Sequence, residues 1–132
     1  MPVDDLVDIP RYPVNALHFR LTPPRRVERV TDLTTDDTAA LLAAYRWLAR
    51  VLRARGCTGF NVLVNDGRFE RESVGEIRDE NPYVQVHVLG RRPDEPLAPM
   101  TILNAPEEFP PEEVSDAERS ARLATLREEG RE

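Results

Sequence analysis

Leu41, Leu42, Tyr45, Leu48, Val51 and Leu52 recur at the three- and four-residue spacing that lines up one face of an α-helix, while Arg46, Arg50 and Arg53 fall on its other faces. Thr34 followed three positions later by Asp37 reads as a variant capping box. Asp36 puts negative charge where a helix dipole favours it, and Gly56 supplies a stop. The spacing therefore predicts a helix from about Asp36 to Arg55, roughly 30 Å long at about 1.5 Å per residue. A one-sided helix of that length must lay its apolar stripe on a second layer. With 132 residues, the chain has room for one such core.

Three short segments with a period of two supply the other layer. Leu17 to Thr22 sends Leu17, Phe19 and Leu21 to one face and His18, Arg20 and Thr22 to the other, which reads His18 as a solvent-facing strand residue. Pro23 and Pro24 end that strand. Phe60 to Asn65 is rich in strand formers and closes on Asp66 and Gly67, a turn pair. Tyr83 to Leu89 alternates again, with Val84, Val86 and Val88 facing the core and Tyr83, Gln85, His87 and Leu89 on the opposite face. The stretch from Arg68 to Asn81 mixes five acidic residues with three arginines and reads as an exposed loop. The fold class is thus α+β: an antiparallel sheet with one long helix packed on it.

Beyond Gly90 the prolines at 93, 96, 99, 106, 110 and 111 predict a segment that wraps the surface to about Glu113. Ser115 and Glu118 form a capping pair for a last helix to about Glu128, whose thin stripe of Ala117, Ala121, Leu123, Ala124 and Leu126 leaves two readings open: a fraying tail, or a docking or dimer element. Residues 1–113 are read as the domain and 114–132 as its helical tail.

Several function classes lose support on composition. A net charge of -6 lacks the basic face that sequence-independent nucleic-acid binding needs. No apolar run approaches the roughly 18 residues of a membrane span. The single cysteine, Cys57, permits neither an internal disulfide nor a cysteine metal cluster, and two histidines do not make a zinc site. No cofactor is called for. The acidic start, with Asp4, Asp5 and Asp8, is no secretory signal, and with the free thiol it points to a reducing cytoplasm.

The order Phe60-Asn61-Val62-Leu63-Val64-Asn65-Asp66-Gly67, a loop, then Val86-His87-Val88-Leu89-Gly90-Arg91 resembles the strand, Asn-x-Gly turn and signature strand of the histidine-triad (HIT) family. His18 to Val27 resembles the family's strand ending in proline and basic residues, and Asp32-Leu33-Thr34 its lead into the long helix. The resemblance covers about Asp8 to Arg92 and implies a HIT-like fold, a nucleotide or small phosphorylated metabolite as ligand, and a homodimer with Trp47 near the contact.

The family's three signature histidines would fall on Tyr83, Gln85 and His87, so only the last is retained. The middle one is the family's nucleophile, and a carboxamide at Gln85 cannot hold a phosphoramidate as imidazole does. On the same resemblance, Asn65 would lie near the phosphate and Asp8 near ribose hydroxyls. Arg91 and Arg92 would add positive potential, while Ser73 cannot be aligned across the long loop. His87 is the candidate acid or base, and Gln85 and Tyr83 are candidate ligand contacts. Three functions follow: a binding domain that has lost covalent catalysis, an enzyme of altered chemistry that uses His87 on a small metabolite, or a protein-interaction module built on the acidic loop and the last helix.

Overall fold

The computed structural model describes residues 2–66 and 82–131, so the acidic loop, Gly67 and Ser73 lie outside the described residues. The elements are strands β1 (Val7–Asp8), β2 (His18–Leu21), β3 (Gly59–Asn65) and β4 (Gln85–Arg91), and helices α1 (Thr35–Ala54), α2 (Pro99–Leu103) and α3 (Asp116–Glu129), with 3₁₀ turns at Val3–Leu6 and Val30–Asp32. The strands make one antiparallel sheet in the order β1-β2-β4-β3. The last strand in sequence is thereby placed between two others. No helix among the described residues is long and apolar enough to cross a membrane.

Both halves of the α1 capping box form. The Thr34 side chain accepts from the Asp37 N–H at 3.0 Å, and Asp37 Oδ2 accepts from the Thr34 N–H at 3.0 Å. Arg25 donates to the same carboxylate at 2.6 Å, and this bond, then the Thr34 N–H, holds the Asp37 carboxyl below the usual carboxylate range. The cap thus also ties down the arginine that follows the Pro23-Pro24 strand end. At the other end Gly56 takes φ 100°, a left-handed conformation that suits glycine at a helix stop.

The apolar stripe of α1 lies over the β1, β2 and β4 side of the sheet. Leu41, Ala44, Leu48, Val51 and Leu52 pack with Phe19, Leu21 and Val88 in one cluster. Of the three valines assigned to the core, Val84 and Val88 are buried and Val86 is half-buried against the cluster. Leu42, by contrast, is exposed: it sits one position round the helix from Leu41 and overshoots the sheet. Tyr45 meets Phe60 edge-on at 6.2 Å, and beyond that contact Val62 and Val64 of the outer strand β3 stay largely uncovered.

One segment differs from the sequence expectation, and another is decided between two readings. The proline-rich stretch contains α2, because Pro99 stands in the first turn, where its missing N–H costs nothing and its fixed φ suits a helix. The final helix docks: Leu126 is in the same core cluster as Phe19 and Leu48, Arg55 donates to both carboxylate oxygens of Glu129, and Gly130 lies against the Trp47 ring. Ala121 and Ala124 remain exposed, so the docking rests on Leu126, with Leu123 packed partly buried beside the cluster. Leu126→Ala should therefore cost about 2–5 kcal/mol. Ala121→Ser, on the exposed face, should leave the urea midpoint within about 0.5 kcal/mol of wild type. Equal midpoints for the two variants in urea unfolding would contradict the docking.

Candidate functional site

Register places the signature residues in rows across the sheet. His18 pairs with Leu89, Arg20 with His87, and Asn65 with Gln85, while Asp8 pairs with Arg20 from the edge strand. Residues opposite one another in an antiparallel pair share a face. One face therefore carries Asp8, His18, Arg20, Asn65, Gln85 and His87 together, opposite the face that receives α1. This brings together four of the six residues singled out from sequence: Asp8, Asn65, Gln85 and His87.

The other two stand apart. Tyr83 precedes β4, and its ring lies under the Arg26 guanidinium at 5.5 Å. Arg91, at the far end of β4, is exposed, with its guanidinium over Gly59.

The expectation of a solvent-facing His18 is overturned. His18 is 1% exposed, Gln85 2% and His87 0%. The connection from Tyr12 to Ala16 and the segment from α2 to Val114 lie on this side of the sheet beside His18, so the face that alternation assigns to water is a second interior.

Inside it, the two histidines are bonded to each other. The Val14 N–H donates to His18 Nδ1 at 2.9 Å, and His18 Nε2 lies 2.8 Å from His87 Nδ1. Burial, then the neighbouring His87 and Arg20, push the His18 pKa well below the ordinary imidazole value, so the ring is neutral. With Nδ1 receiving the backbone N–H, its one proton sits on Nε2 and is donated to His87 Nδ1. That in turn leaves Nε2 as the position at which His87 carries its own proton. A backbone amide thus sets the tautomer of both rings.

Two more polar groups complete the face. Arg20 donates to Asp8 Oδ2 at 2.6 Å, while Asp8 Oδ1 accepts from the Ile9 N–H at 2.8 Å. Gln85 Oε1 is buried without a hydrogen-bond partner among the described residues, a deficit that ordinarily costs about 1–3 kcal/mol. His18 and Arg20 are the residues that sequence reasoning passed over. The available signal was that both histidines of the chain fall on alternating strands, and that Arg20 shares the period of His18.

No group of three His, Cys, Asp or Glu among the described residues could hold a metal ion. Cys57 is buried, and burial, then Glu95, raises its thiol pKa, which suppresses the reactive thiolate. The tautomer assignment has a direct check: long-range ¹H–¹⁵N spectra should show Nε2-protonated rings for both histidines near pH 7.5, and an Nδ1-protonated His87 would contradict it. Because the folded His18 pKa is depressed, the unfolded chain binds more protons below about pH 6.5. Its contribution to stability is therefore full above that pH and is lost as pH falls toward the folded value, which unfolding midpoints between pH 7.5 and 5 should register.

No protein-family model matches the chain. The nitrilase and fragile histidine triad fusion protein NitFhit of Caenorhabditis elegans is 33% identical over 81 residues, which is 61% of this chain and 17% of that protein. The crystal structure of C. elegans NitFhit superposes with a TM-score of 0.66 at 22% identity, covering 93% of this chain and 24% of its own. A zinc-bound histidine triad family protein from Mycobacterium smegmatis superposes with a TM-score of 0.62 at 18% identity, covering 94% and 76%. The chain spans under a fifth of the curated relative it matches. Sheet order, the long helix on one face and these superpositions agree: the chain has the HIT-like fold, an α+β fold that it shares with histidine-triad proteins.

Proposed function

We propose that the chain binds a purine mononucleotide or a related small phosphorylated metabolite on the Gln85 and His87 face of β4, and holds it without forming a covalent nucleotidyl intermediate. The observation that carries this reading is the fixed tautomer of His87. Its Nε2–H is a donor suited to a phosphate oxygen. A general base would need its lone pair there, but reversing the chain of bonds would set a proton on His18 Nδ1 against the Val14 N–H. Acting as an acid is equally blocked, since His18 has no second proton to pass on. This favours binding over the altered-chemistry enzyme.

The neighbouring groups suit the same ligand. Gln85 Oε1 lacks a donor among the described residues, which a ligand hydroxyl or amino group would supply. Arg20 is a permanent cation beside His87, and Asp8, although paired with it, keeps acceptor capacity for a ribose hydroxyl. Asn65 lies next to Gln85 at the end of β3. Since Gln85 and His87 are buried, a ligand reaches them only when the chain over this face moves aside.

At saturating AMP, about 100 times its Kd, the gain of about 2.7 kcal/mol should raise the unfolding midpoint by on the order of 10 °C. His87→Ala should remove most of that rise. No rise with AMP, GMP, ADP or inorganic phosphate would end the reading. Mass spectrometry of protein incubated with AMP phosphoramidate should show unmodified chain, whereas an adenylylated peptide would overturn the non-covalent part.

The homodimer belongs to the same proposal. Among the described residues strand β3 is an edge of the sheet, and Val62 and Val64 are 41% and 54% exposed on the α1 side, where Leu42 of α1 is exposed as well. A seven-residue edge strand with exposed valines on one face is a template for pairing with another strand. Light scattering should give twice the chain mass for wild type and the single mass for Val64→Lys, and an unchanged dimer in that variant would move the contact elsewhere.

A further inference from the structure

A neutral imidazole has one ring lone pair with which to accept a hydrogen bond or a proton. In the buried pair both lone pairs are already in use. His18 Nδ1 accepts from the Val14 N–H at 2.9 Å, and His87 Nδ1 accepts from His18 Nε2, 2.8 Å away. A further proton on either ring therefore sets two donors face to face. If it settles on His87, His18 can change tautomer and accept it at Nε2, which keeps a charge-strengthened bond between the rings and moves the conflict to Nδ1. The contact that gives way is the one to Val14.

Val14 is half-buried in the connection from Tyr12 to Ala16, between two fixed points. Before it, Arg11 O accepts from the Val114 N–H at 2.8 Å, and after it, Asn15 O and Oδ1 accept from the N–H groups of His18 and Leu17. A cavity of about 520 Å³ separates the connection from the segment running from α2 to Val114, so the released turn has room to move. The other charged or titratable groups around His18 are Arg20 of β2, joined to Asp8 of β1, Tyr12 of the connection, Glu108 and Glu112 of the segment after α2, and Arg122 of α3, joined to Glu118. Burial, then His87 and Arg20, oppose a charge on the closed ring, and release toward water removes the first of these.

We propose that the His18–His87 pair is a proton-operated latch: one proton taken up by the pair releases Val14, and the connection shifts into the adjoining cavity, loosening the cover of the face that carries Gln85 and His87. The latch stands on the two hydrogen bonds and the cavity. That its opening admits a phosphorylated ligand rests on the proposed function. The closed form binds fewer protons, so acid favours the open one. For one group titrating at about 6.5 once released, the open fraction should grow about 10-fold between pH 7.5 and 5.5.

Amide hydrogen exchange of the full chain tests the latch without a ligand. Corrected for intrinsic rates, protection of the Val14 amide should fall about 10-fold from pH 7.5 to 5.5. About 0.5 M urea should speed the exchange of Leu48, buried in α1, and leave Val14 unchanged, because a local opening exposes little surface. A Val14 amide indifferent to pH, or one that responds to urea as Leu48 does, would overturn the latch. Adenosine 5′-sulfate, whose charge is constant over this range, should bind about 10-fold more tightly at pH 5.5 as the competent fraction grows. Equal or weaker binding at pH 5.5 would overturn the link between latch and site. Absence of binding at both pH values, with Val14 behaving as expected, would remove the nucleotide reading and uphold the latch.

Discussion

A strand covered on both faces has no water to satisfy its polar side chains, and β4 is such a strand. It lies between β2 and β3, with α1 over Val88 on one side and with Gln85, His87 and Leu89 buried on the other. The imidazole of His87 is tolerable there because His18 comes from the adjacent strand at hydrogen-bond distance. His18 in turn depends on the Val14 N–H, and that amide is positioned by the turn leading into β2. Two elements distant in sequence are thus locked by one proton order. The consequence for chemistry follows from the same bonds, since a ring whose Nδ1 is occupied by a neutral donor presents only an N–H outward.

The helix layer is anchored by a similar economy. Asp37 closes the capping box and accepts from Arg25, so one buried carboxylate fixes both the start of α1 and the exit of β2. Gly90 permits close approach at the far end of β4, where a Cβ would stand 2.9 Å from Cys57 Sγ and 3.0 Å from Leu17 Cβ. Leu126 and the Arg55–Glu129 pair then bring α3 onto the core. Among the described residues β3 has sheet on one side only, and its Val62 and Val64 stay exposed.

Much of this was legible from periodicity. The α1 stripe, the Thr34–Asp37 cap and the three strands follow from spacings of 3.6 and 2, which are properties of the backbone and need no knowledge of what lies opposite. The motif order also pointed to the HIT-like fold. What periodicity cannot supply is the environment of each face. Alternation sorts His18, Gln85 and His87 to one side of the sheet, but only the path of the chain before β2 and after β4 decides that this side is interior. Prolines gave the segment after β4 the look of a surface strap, and the helix within it was hidden because Pro99 is compatible with a first turn.

Sequence by itself determined the element types, the α1 caps and the absence of an imidazole at position 85, because these are local matters of spacing and residue chemistry. The tertiary structure decided that β4 is a central strand and that Arg20 stands beside His87. It also decided that His18 is the hydrogen-bond partner of His87 rather than a surface residue. Those facts depend on pairing residues 67 to 69 positions apart, and neither propensity nor alternation encodes which strand a strand will choose.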